Sequence, residues 1–583
     1  MKKLLVLLVC SMLIISGCTS TDSDEPNSAS LYTAGSYETT TQGYRGEVNV
    51  KTTFDDNGIT SIEIVSHGDT LGISDEAFKQ IPVAIVENQS LAVDTMTGAT
   101  VSSYAVIGAV AEAITQAGGD AEAWKTKEVV KNVEDITIDT DVVIIGAGAA
   151  GLSAAVEASL TGASVLVLEQ NSMQGGSTAR SGGKLLAADT EYQKNMGIED
   201  SAEAFADYLI EVGENQVSEE KINYIAEQSN DIIVWLEDLG VKFAAELEPL
   251  HDTFNPIRGH YTLGGGGKTD GKGGSITNSL KAEAESQGVE FLFHTTANSL
   301  IIDNKDVVGV NATKKDGSNV TVNAKSVILA TGGYDYNEEL FAKYAPKATA
   351  GFHTVSPLHT GSGLIMAQEA GAQIVAGGGA ITLYLDFFTG QENPHGMYVT
   401  EQGQRFMNEY SFWFTRTKEL MDVNGKALFW VTDKSTDIYG NYDSLVEEKK
   451  VFKGTAEEIA ANLGFDSKSF VNEVATYNTY EDNGVDAEFN KPAEYLTALN
   501  NEELYVLPFG SVSSGTIGGP LTDLNGQVLN TNNEVINGLY AAGEVANGDL
   551  MYQEYPGSGT SITMCIAMGR LTGQNAANTA LTK

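Results

Sequence analysis

The chain has 583 residues, of which 42% are hydrophobic and 19% charged, a balance that excludes a disordered or collagen-like protein. Its 35 Lys and Arg against 78 Asp and Glu give a net charge of -43, and so acidic a surface argues against nucleic acid as a partner. The cysteines are Cys10, Cys18 and Cys565, without a CxxC pattern. Cysteine-bound iron–sulfur clusters, c-type haem and a disulfide framework are therefore excluded.

The first residues have the order of a secretory signal. Two lysines precede an apolar stretch from Leu4 to Ile15, which is too short to span a membrane. The string Ile15-Ser16-Gly17-Cys18 resembles a bacterial lipobox, which implies that Cys18 carries lipid and holds the protein on the extracytoplasmic face of the cell membrane. A plain signal peptide or a retained anchor is the alternative. A Ser- and Thr-rich tether follows.

A small module comes next. Alternation of apolar and polar residues predicts strands over Glu47–Phe54 and Ile59–Ser66, joined by an Asn-Gly turn. A helix is predicted over Tyr104–Ala117. Ahead of it lies Asp94-Thr95-Met96-Thr97-Gly98-Ala99-Thr100, whose small residues would let a phosphate approach the backbone at a helix N-terminus. By itself a Thr-Gly-Ala-Thr string is more often a plain helix-entry loop.

The segment ending at Thr100 resembles the Asp-x-x-Ser/Thr-Gly-Ala-Thr motif of FMN-binding domains, found in sodium-pumping quinone reductase subunits and extracellular reductases. The residues around it are also similar to that family, including Gly43-Tyr44-Arg45-Gly46 before the first strand. The resemblance implies a small α+β domain with FMN joined through its phosphate to Thr100. It also implies a separate flavin transferase that makes the bond.

A second module has the pattern of a dinucleotide-binding βαβ unit. A short buried strand, Asp141–Ile145, is followed by a glycine-rich turn, a helix to about Leu160 and a strand that ends at Glu169. Gly146 permits the tight turn, Gly148 the approach of a pyrophosphate, and Gly151 the packing of helix on strand. Ala149 and Ala150 complete the turn, and Glu169 is expected to accept the ribose hydroxyls.

NAD and FAD share this unit, so later segments decide between them. These segments are Gly175-Gly176-Ser177, Thr331-Gly332-Gly333, Gly543-Glu544 and Ser561-Ile562. Together they resemble the FAD contacts of the fumarate reductase and succinate dehydrogenase flavoprotein superfamily, which includes urocanate- and ketosteroid-acting members. The resemblance implies non-covalent FAD and an α/β fold class, a Rossmann-like FAD-binding domain with an inserted α+β capping domain.

The expected domain boundaries follow from these motifs. They are a signal peptide at 1–17, a tether at 18–31, the FMN-binding domain at 32–120, a charged linker at 121–138, the FAD-binding domain at 139–333 and 508–583, and the capping domain at 334–507.

The substrate motifs depart from those of fumarate reductases. Where that family has a His-rich stretch, this chain has Ser513-Ser514-Gly515, and where it has an Arg near the C-terminus, the chain has Tyr555-Pro556-Gly557. The two carboxylates of fumarate would lack the His and Arg partners that they need, which argues against fumarate as the substrate. The second string resembles a ketosteroid dehydrogenase segment, which implies that the Tyr555 hydroxyl and the Gly559 amide polarise a ketone oxygen. A turn-shaping role for Tyr555 is the alternative.

The predicted cap contains an Arg-Phe-x-Asn-Glu string, Arg405–Glu409, that resembles the segment before the family's catalytic Arg. That Arg position holds Trp413, so Arg416 is the candidate substrate-facing cation and proton relay, with a surface role as the alternative. Aromatic residues nearby line a pocket for a flat conjugated substrate or form ordinary core: Tyr384, Tyr410, Phe412, Trp413 and Phe414. The scattered histidines predict no metal site.

The resemblances imply a lipid-anchored, extracytoplasmic reductase. In this interpretation a membrane electron donor reduces FMN, electrons pass to FAD, and a small-molecule alkene such as an enoate or enone is reduced as a respiratory acceptor. Two alternatives remain open, a ketosteroid-type dehydrogenase and an electron-relay flavin lipoprotein without its own substrate.

Overall fold

The computed structural model describes residues 31–69, 74–96, 99–127, 129, 133–248, 256–263, 272–346, 348, 352–353, 355–386, 394–411, 419, 423, 428–437 and 440–583. The chain divides into two compact units. The smaller comprises residues 31–69, 78–94 and 101–129, and the larger comprises the rest. Within the described ranges, no helix is both long and apolar enough to cross a membrane. Cys18 lies outside the described residues.

Strands and helices are both numerous. The strands are β1 (Gly35–Gln42), β2 (Glu47–Phe54), β3 (Ile59–His67), β4 (Ile136–Ile145), β5 (Val165–Leu168), β6 (Lys184–Leu186), β7 (Lys242–Phe243), β8 (Gly259–Leu263), β9 (Glu290–Leu292), β10 (Thr295–Asp303), β11 (Asp306–Lys314), β12 (Asn319–Leu329), β13 (Phe352–His353), β14 (Ile374–Asp386), β15 (Met397–Thr400), β16 (Leu428–Thr432), β17 (Phe452–Gly454), β18 (Leu504–Pro520), β19 (Gln527–Leu529) and β20 (Val535–Ala541). The helices are α1 (Asp75–Asn88), α2 (Thr100–Gln116), α3 (Ala121–Thr126), α4 (Ala149–Leu160), α5 (Gly176–Arg180), α6 (Glu191–Asn195), α7 (Ala202–Val212), α8 (Glu219–Asp238), α9 (Lys272–Ser286), α10 (Glu338–Tyr344), α11 (Ser362–Glu369), α12 (Tyr442–Glu447), α13 (Ala456–Leu463), α14 (Ser467–Asn483) and α15 (Thr560–Thr582).

The smaller unit contains an antiparallel sheet in the order β1-β2-β3. Both predicted strands are confirmed as β2 and β3, and alternate residues of β2 are buried, as the period of two requires. The turn between them is fixed by Asp55, whose carboxylate accepts hydrogen bonds from the amides of Asn57 at 2.8 Å and Gly58 at 2.9 Å. The predicted helix is also present, but α2 begins earlier, at Thr100.

Part of the predicted linker is regular structure. Helix α3 begins after Asp120, whose carboxylate accepts hydrogen bonds from the amides of Glu122 and Ala123. Its Trp124 is buried and donates to the Tyr32 hydroxyl at 2.8 Å. One aromatic anchor and one cap hold this six-residue helix, which is too short to show periodicity in the sequence. Strand β4 likewise begins at Ile136, before the expected end of the linker.

The larger unit is built on an eight-stranded sheet in the order β10-β11-β12-β4-β5-β9, with β20 beside β12 and β19 beside β20. The pairs β12–β4, β4–β5, β5–β9 and β12–β20 are parallel. Ile145, Leu168 and Leu329 lie in register at the carboxyl ends of their strands. That edge is where open parallel sheets bind ligands. The predicted α/β, Rossmann-like fold is confirmed.

Helix α15 packs against α4, the helix that follows the glycine-rich turn. The contact is close because glycines lie at the crossing: a Cβ at Gly569 or Gly573 would meet the backbone of Ala150 or Ala154. The N-terminus of α15 begins at Thr560, beside the second cavity described below. One helix therefore contacts both the dinucleotide turn and the second cavity.

A six-stranded sheet forms the centre of the region predicted as the cap. The 17-residue strand β18 pairs with β13, β14, β16 and β17, and β15 pairs with β16. Because β18 runs from Leu504 to Pro520, it continues past residue 507, the expected boundary with the FAD-binding domain. Helix α13 begins with a capping box, in which the Thr455 hydroxyl accepts from the Glu458 amide and the Glu458 carboxylate accepts from the Thr455 amide.

Candidate active site

The glycine-rich turn between β4 and α4 has three glycines with different surroundings. Gly146 adopts φ +107°, and a Cβ there would collide with the Ala330 carbonyl. A Cβ at Gly151 would collide with the Gly146 carbonyl. At Gly148, in contrast, a Cβ would have no described protein atom within 4 Å. The turn therefore leaves open space at Gly148, where the helix presents its N-terminal amides.

This turn forms one wall of a cleft of about 800 Å³. Of the predicted FAD-binding residues, the cleft is lined by Gly146, Gly148, Ala149, Ala150, Glu169, Gly176, Ser177, Thr331, Gly332 and Glu544. The buried Thr331 hydroxyl has no hydrogen-bond partner among the described atoms. An open glycine turn, a helix N-terminus and an unsatisfied hydroxyl fit a dinucleotide cofactor.

Six predicted FAD-binding residues do not line this cleft. Ser561 and Ile562 line the second cavity described below, whereas Gly151, Gly175, Gly333 and Gly543 line neither. These four shape the backbone of the cleft instead: the Gly175 amide donates to the Ala147 carbonyl at 2.8 Å, and a Cβ at Gly543 would lie 2.6 Å from the Ala150 Cβ. A Cβ at Gly333 would collide with the side chains of Glu544 and Thr516. These glycines are required for close packing around the cleft.

Glu169 ends β5 and is buried in the cleft wall. Its carboxylate accepts a 2.8 Å hydrogen bond from the Ala147 amide, and bonds of 2.8 and 3.0 Å from the backbone and side chain of Asn171. Burial raises the pKa of Glu169, while these bonds oppose the rise. Because each carboxylate oxygen can accept more than one hydrogen bond, Glu169 can hold the turn and still accept a ribose hydroxyl.

A buried polar cluster lies at the inner end of the cleft. The His359 Nδ1 is 3.5 Å from the Asp335 carboxylate and 3.7 Å from that of Glu544, and its Nε2 is 3.0 Å from the Ser177 hydroxyl. Burial raises the pKa of Glu544 to about 7, against the charge of His359. Burial would lower the pKa of His359, but Glu544 and Asp335 raise it above its ordinary value.

This cluster was missed by the sequence analysis, which treated the histidines as scattered. Three ligand atoms, one each from Asp335, His359 and Glu544, lie within 4.8 Å of one another, a grouping that could hold a metal ion. The residues are far apart in sequence and no spacing motif joins them, so only the fold could bring them together.

A second cavity, of about 1100 Å³, adjoins the first. Ser177, Thr178, Glu544 and Cys565 line both. Four further predicted residues line the second cavity but not the first cleft, namely Tyr555, Gly559, Ser561 and Ile562. A ligand here would therefore lie next to the inner end of the dinucleotide cleft.

The predicted pair of Tyr555 and Gly559 is brought together, but the two groups bond to each other. The amides of Gly559 and Ser561 donate to the Tyr555 hydroxyl at 3.2 and 3.3 Å. Burial raises the pKa of Tyr555 to about 12, against the effect of these two amides. The phenol stays protonated at neutral pH, and within the described residues its proton has no acceptor.

A second tyrosine, not singled out from the sequence, supports this turn. The Tyr208 hydroxyl donates to the carbonyl of Pro556, the residue after Tyr555. Arg258 lies 5.8 Å from the Tyr208 ring centre and forms a buried 2.6 Å ion pair with Asp200. The turn is therefore held from both sides, by α15 and by α7.

The remaining predicted residues are not among the described residues that line the two cavities. Arg416, Phe412, Trp413 and Phe414 lie outside the described residues, as does the side chain of Tyr384. Tyr410 stacks on Tyr495 with ring centres 3.9 Å apart.

Thr100 is the first residue of α2, and its exposed hydroxyl lies 3.5 Å from the Met96 carbonyl. An exposed threonine at a helix N-terminus fits a phosphate-linked group.

Both flavin domains are found by comparison with protein families. A family described as FAD binding domain matches residues 141–562, and one described as FMN-binding domain matches residues 43–115. The chain is 31% identical to urocanate reductase of Eggerthella lenta, over 92% of this chain and 91% of the relative. It is 27% identical to NADH:acrylate oxidoreductase of Vibrio harveyi, over 94% of this chain but only 61% of that relative.

Solved structures agree with these matches. The open conformation of a flavocytochrome c3 fumarate reductase superposes with a TM-score of 0.63 at 28% identity, covering 76% of this chain and 79% of that one. A 3-ketosteroid-Δ4-(5α)-dehydrogenase from Rhodococcus jostii RHA1 gives the same TM-score and identity, over 76% of this chain and 97% of that one.

The chain belongs to the fumarate reductase and succinate dehydrogenase flavoprotein superfamily, fused to an FMN-binding domain of the covalent type. It is an oxidoreductase of the enoate-reductase type, which depends on FAD and FMN and acts on carbon–carbon double bonds. The predicted family, enzyme class and cofactors are confirmed.

Proposed function

We propose that this protein is an extracytoplasmic reductase, held to the membrane by lipid on Cys18. A membrane donor supplies electrons through FMN on Thr100 to FAD, and an activated alkene, an enoate or an enone, accepts them. The observation that carries the proposal is the second cavity, which adjoins the FAD cleft and is lined by Tyr555, a phenol whose proton has no acceptor among the described residues. The names of the relatives, which reduce urocanate or acrylate, support the same chemistry.

The chain's own residues have two tasks in this reaction. Bound reduced FAD supplies a hydride for one carbon of the double bond. Tyr555, held by two amides of α15, polarises the activating carbonyl or gives its proton to the other carbon. The amides stabilise the phenolate left behind, because a helix N-terminus favours negative charge. Arg416 is the alternative proton relay.

Fumarate itself is not the proposed substrate. At the position of the family's His-rich stretch, the Ser513 hydroxyl donates to the buried Asp335 carboxylate at 2.6 Å, and Ser514 lines the second cavity. Neither serine supplies the positive charge that a second carboxylate needs.

An anaerobic acceptor screen tests the reductase proposal. The protein carrying both flavins is reduced with a dye, and its re-oxidation is followed with enoates, enones and their saturated counterparts. We expect re-oxidation by alkenes alone, slowed about 100-fold in Tyr555→Phe and unchanged in the exposed control Tyr336→Phe. A reduced protein that no alkene re-oxidises would contradict the proposal.

A ketosteroid-type dehydrogenase is the second candidate, favoured by the structural likeness to such an enzyme. The same assay run in reverse separates the two. A dehydrogenase would consume a saturated cyclic ketone with oxidised dye, whereas the proposed reductase would not do so at a comparable rate.

The electron path is tested with Thr100→Ala. Loss of covalent FMN should leave alkene reduction by directly reduced FAD intact and abolish reduction from a membrane donor. Alkene reduction that disappears in both assays would mean that FMN serves the catalytic step itself.

The lipid anchor is tested with Cys18→Ser, which should release the protein from the membrane fraction.

A further inference from the structure

Lys184 is a buried lysine that lies in the wall of the second cavity. Lys184 begins β6 directly opposite Tyr261 of β8, and both residues line the cavity. The Lys184 side chain is only 7% exposed. Its stem lies over Gly259, where a Cβ would collide with the Lys184 Cε. The fold therefore holds this lysine at the cavity wall and away from bulk solvent.

Few negatively charged groups of the described residues lie near the Lys184 ammonium. Among the described residues, the only carboxylate within 4.0 Å of its Nζ is that of Glu248, which lies at 4.0 Å and is 54% exposed. The Nζ lies 4.8 Å from the centre of the Tyr261 ring and makes no hydrogen bond to a described residue. Burial lowers the pKa of Lys184, and Glu248 opposes this only in part.

Two other buried lysines show what a structural role requires. The Lys221 Nζ lies 2.7 Å from the Asp549 carboxylate and 2.8 Å from the Thr522 hydroxyl. The Lys491 Nζ donates to the Gly396 carbonyl at 2.6 Å and lies 3.2 Å from the Glu409 carboxylate. An ammonium has three donors, and burial is costly unless they are used. Lys184 differs from both because no described residue accepts a hydrogen bond from its Nζ, which leaves the three donors for a ligand.

Lys184 also belongs to the same wall as Tyr555. A Cβ at Gly559 would lie 3.1 Å from the Lys184 carbonyl oxygen, and the Gly559 amide binds the Tyr555 hydroxyl. Arg180 lines the same cavity, so the described lining has two cationic side chains, Arg180 and Lys184, against one carboxylate, that of Glu544. The described lining therefore favours an anion.

We propose that Lys184 binds the carboxylate of the substrate, so that the acceptor is an enoate in preference to an enone. This inference rests on the proposed reductase function and assigns the specificity of the same site. The ammonium donates charge-assisted hydrogen bonds to the carboxylate from a side chain that is itself shielded from solvent. Substrate binding then supplies the buried charge with its partner.

Ligand binding to the oxidised protein tests this without turnover. Protein carrying both flavins is titrated with 3-phenylpropionate and with 3-phenylpropanamide, while the flavin absorbance reports binding. Neither probe has an alkene to reduce. The acid should bind more tightly than the amide by about 10- to 100-fold. Lys184→Met should remove this preference by weakening acid binding alone, and Lys184→Arg should keep most of it.

The matched control is Lys242→Met, the same change at an exposed position of β7 in the same small sheet. FAD content and thermal unfolding of each variant show whether it is folded. An acid preference that is absent from the unsubstituted protein, or that persists in Lys184→Met, overturns the assignment.

The outcomes separate this inference from the function on which it rests. If Lys184→Met keeps the acid preference while the unsubstituted protein reduces alkenes, the reductase proposal stands and the role of Lys184 is wrong. If acid binding depends on Lys184 but no alkene re-oxidises the reduced protein, the anion site stands and the reductase proposal fails.

Discussion

The Arg405 guanidinium donates two hydrogen bonds of 2.8 Å to the carboxylate of Glu409, and neither side chain is exposed to solvent. The Asp486 carboxylate accepts a third bond from Arg405 at 2.8 Å, and Lys491 lies 3.2 Å from Glu409. Two cations and two carboxylates thus compensate one another. This network fixes the Arg-Phe-x-Asn-Glu string within its own part of the fold.

Removal of Arg405 should destabilise that region strongly. In Arg405→Met the carboxylates of Glu409 and Asp486 lose their guanidinium partner, and breaking a buried ion pair costs about 3–5 kcal/mol. Calorimetry should show a lower unfolding temperature. The control Lys450→Met breaks the exposed ion pair with Glu448 and should change stability by less than about 1 kcal/mol. Equal effects of the two changes would contradict the prediction.

Tyr208→Phe should impair the turn that carries Tyr555. The change removes the hydrogen bond to the Pro556 carbonyl and leaves the packing of the ring in place. We expect kcat to fall about tenfold with a smaller change in KM, since misplacement of a catalytic group acts on the chemical step. Tyr224→Phe on α8, where the tyrosine is not part of a cavity lining, is the control. A change in KM alone would show that Tyr208 does not position Tyr555.

The raised pKa of Glu544 predicts an unusual dependence of stability on pH. Between the ordinary value of 4.5 and about 7, the folded protein keeps a proton that the unfolded chain has released. Folding stability should therefore fall as pH rises through this window, by up to about 3 kcal/mol. Glu544→Gln should flatten the dependence. Unfolding temperatures measured from pH 4.5 to 8 provide the check, and a slope unchanged by the substitution would contradict it.

Gly148→Val should prevent FAD binding without unfolding the protein. The added side chain meets no described protein atom and enters the cleft at the helix N-terminus. Purified protein should keep its covalent FMN but lose the flavin that acid releases. Gly274→Ala on α9, where a Cβ also meets nothing within 4 Å, should keep both flavins. Normal FAD content in Gly148→Val would place the cofactor elsewhere.

The cofactor cleft was largely predictable because its signals are local. The sequence contains, in order, a strand, a glycine-rich turn, a helix and a second strand followed by an acidic residue. Gly146, Gly148 and Glu169 each lie where this spacing predicts. The backbone geometry of such a turn leaves few alternatives, so residue type and order suffice.

The second cavity was predictable only in part. Tyr555 and Gly559 were found because they belong to one short string that resembles a ketosteroid dehydrogenase segment, whereas Lys184 and the cluster around His359 depend on long-range packing. Lys184 follows a Gly-Gly pair in a segment with no distinctive periodicity, and its burial is set by Gly259 across the sheet. The catalytic roles of Arg416 and Tyr555, and the lipid on Cys18, stay predictions.

Helix α15 contacts both α4 and the Tyr555 turn. The geometry of the dinucleotide turn and the position of the phenol are therefore linked. A bulkier residue at Gly569 or Gly573 would shift the helix, and the shift would reach the phenol as well as the dinucleotide turn. Variants selected for new acceptors should therefore accumulate changes on the opposite wall, around Lys184 and Tyr261, while the helix that joins the two cavities stays the same.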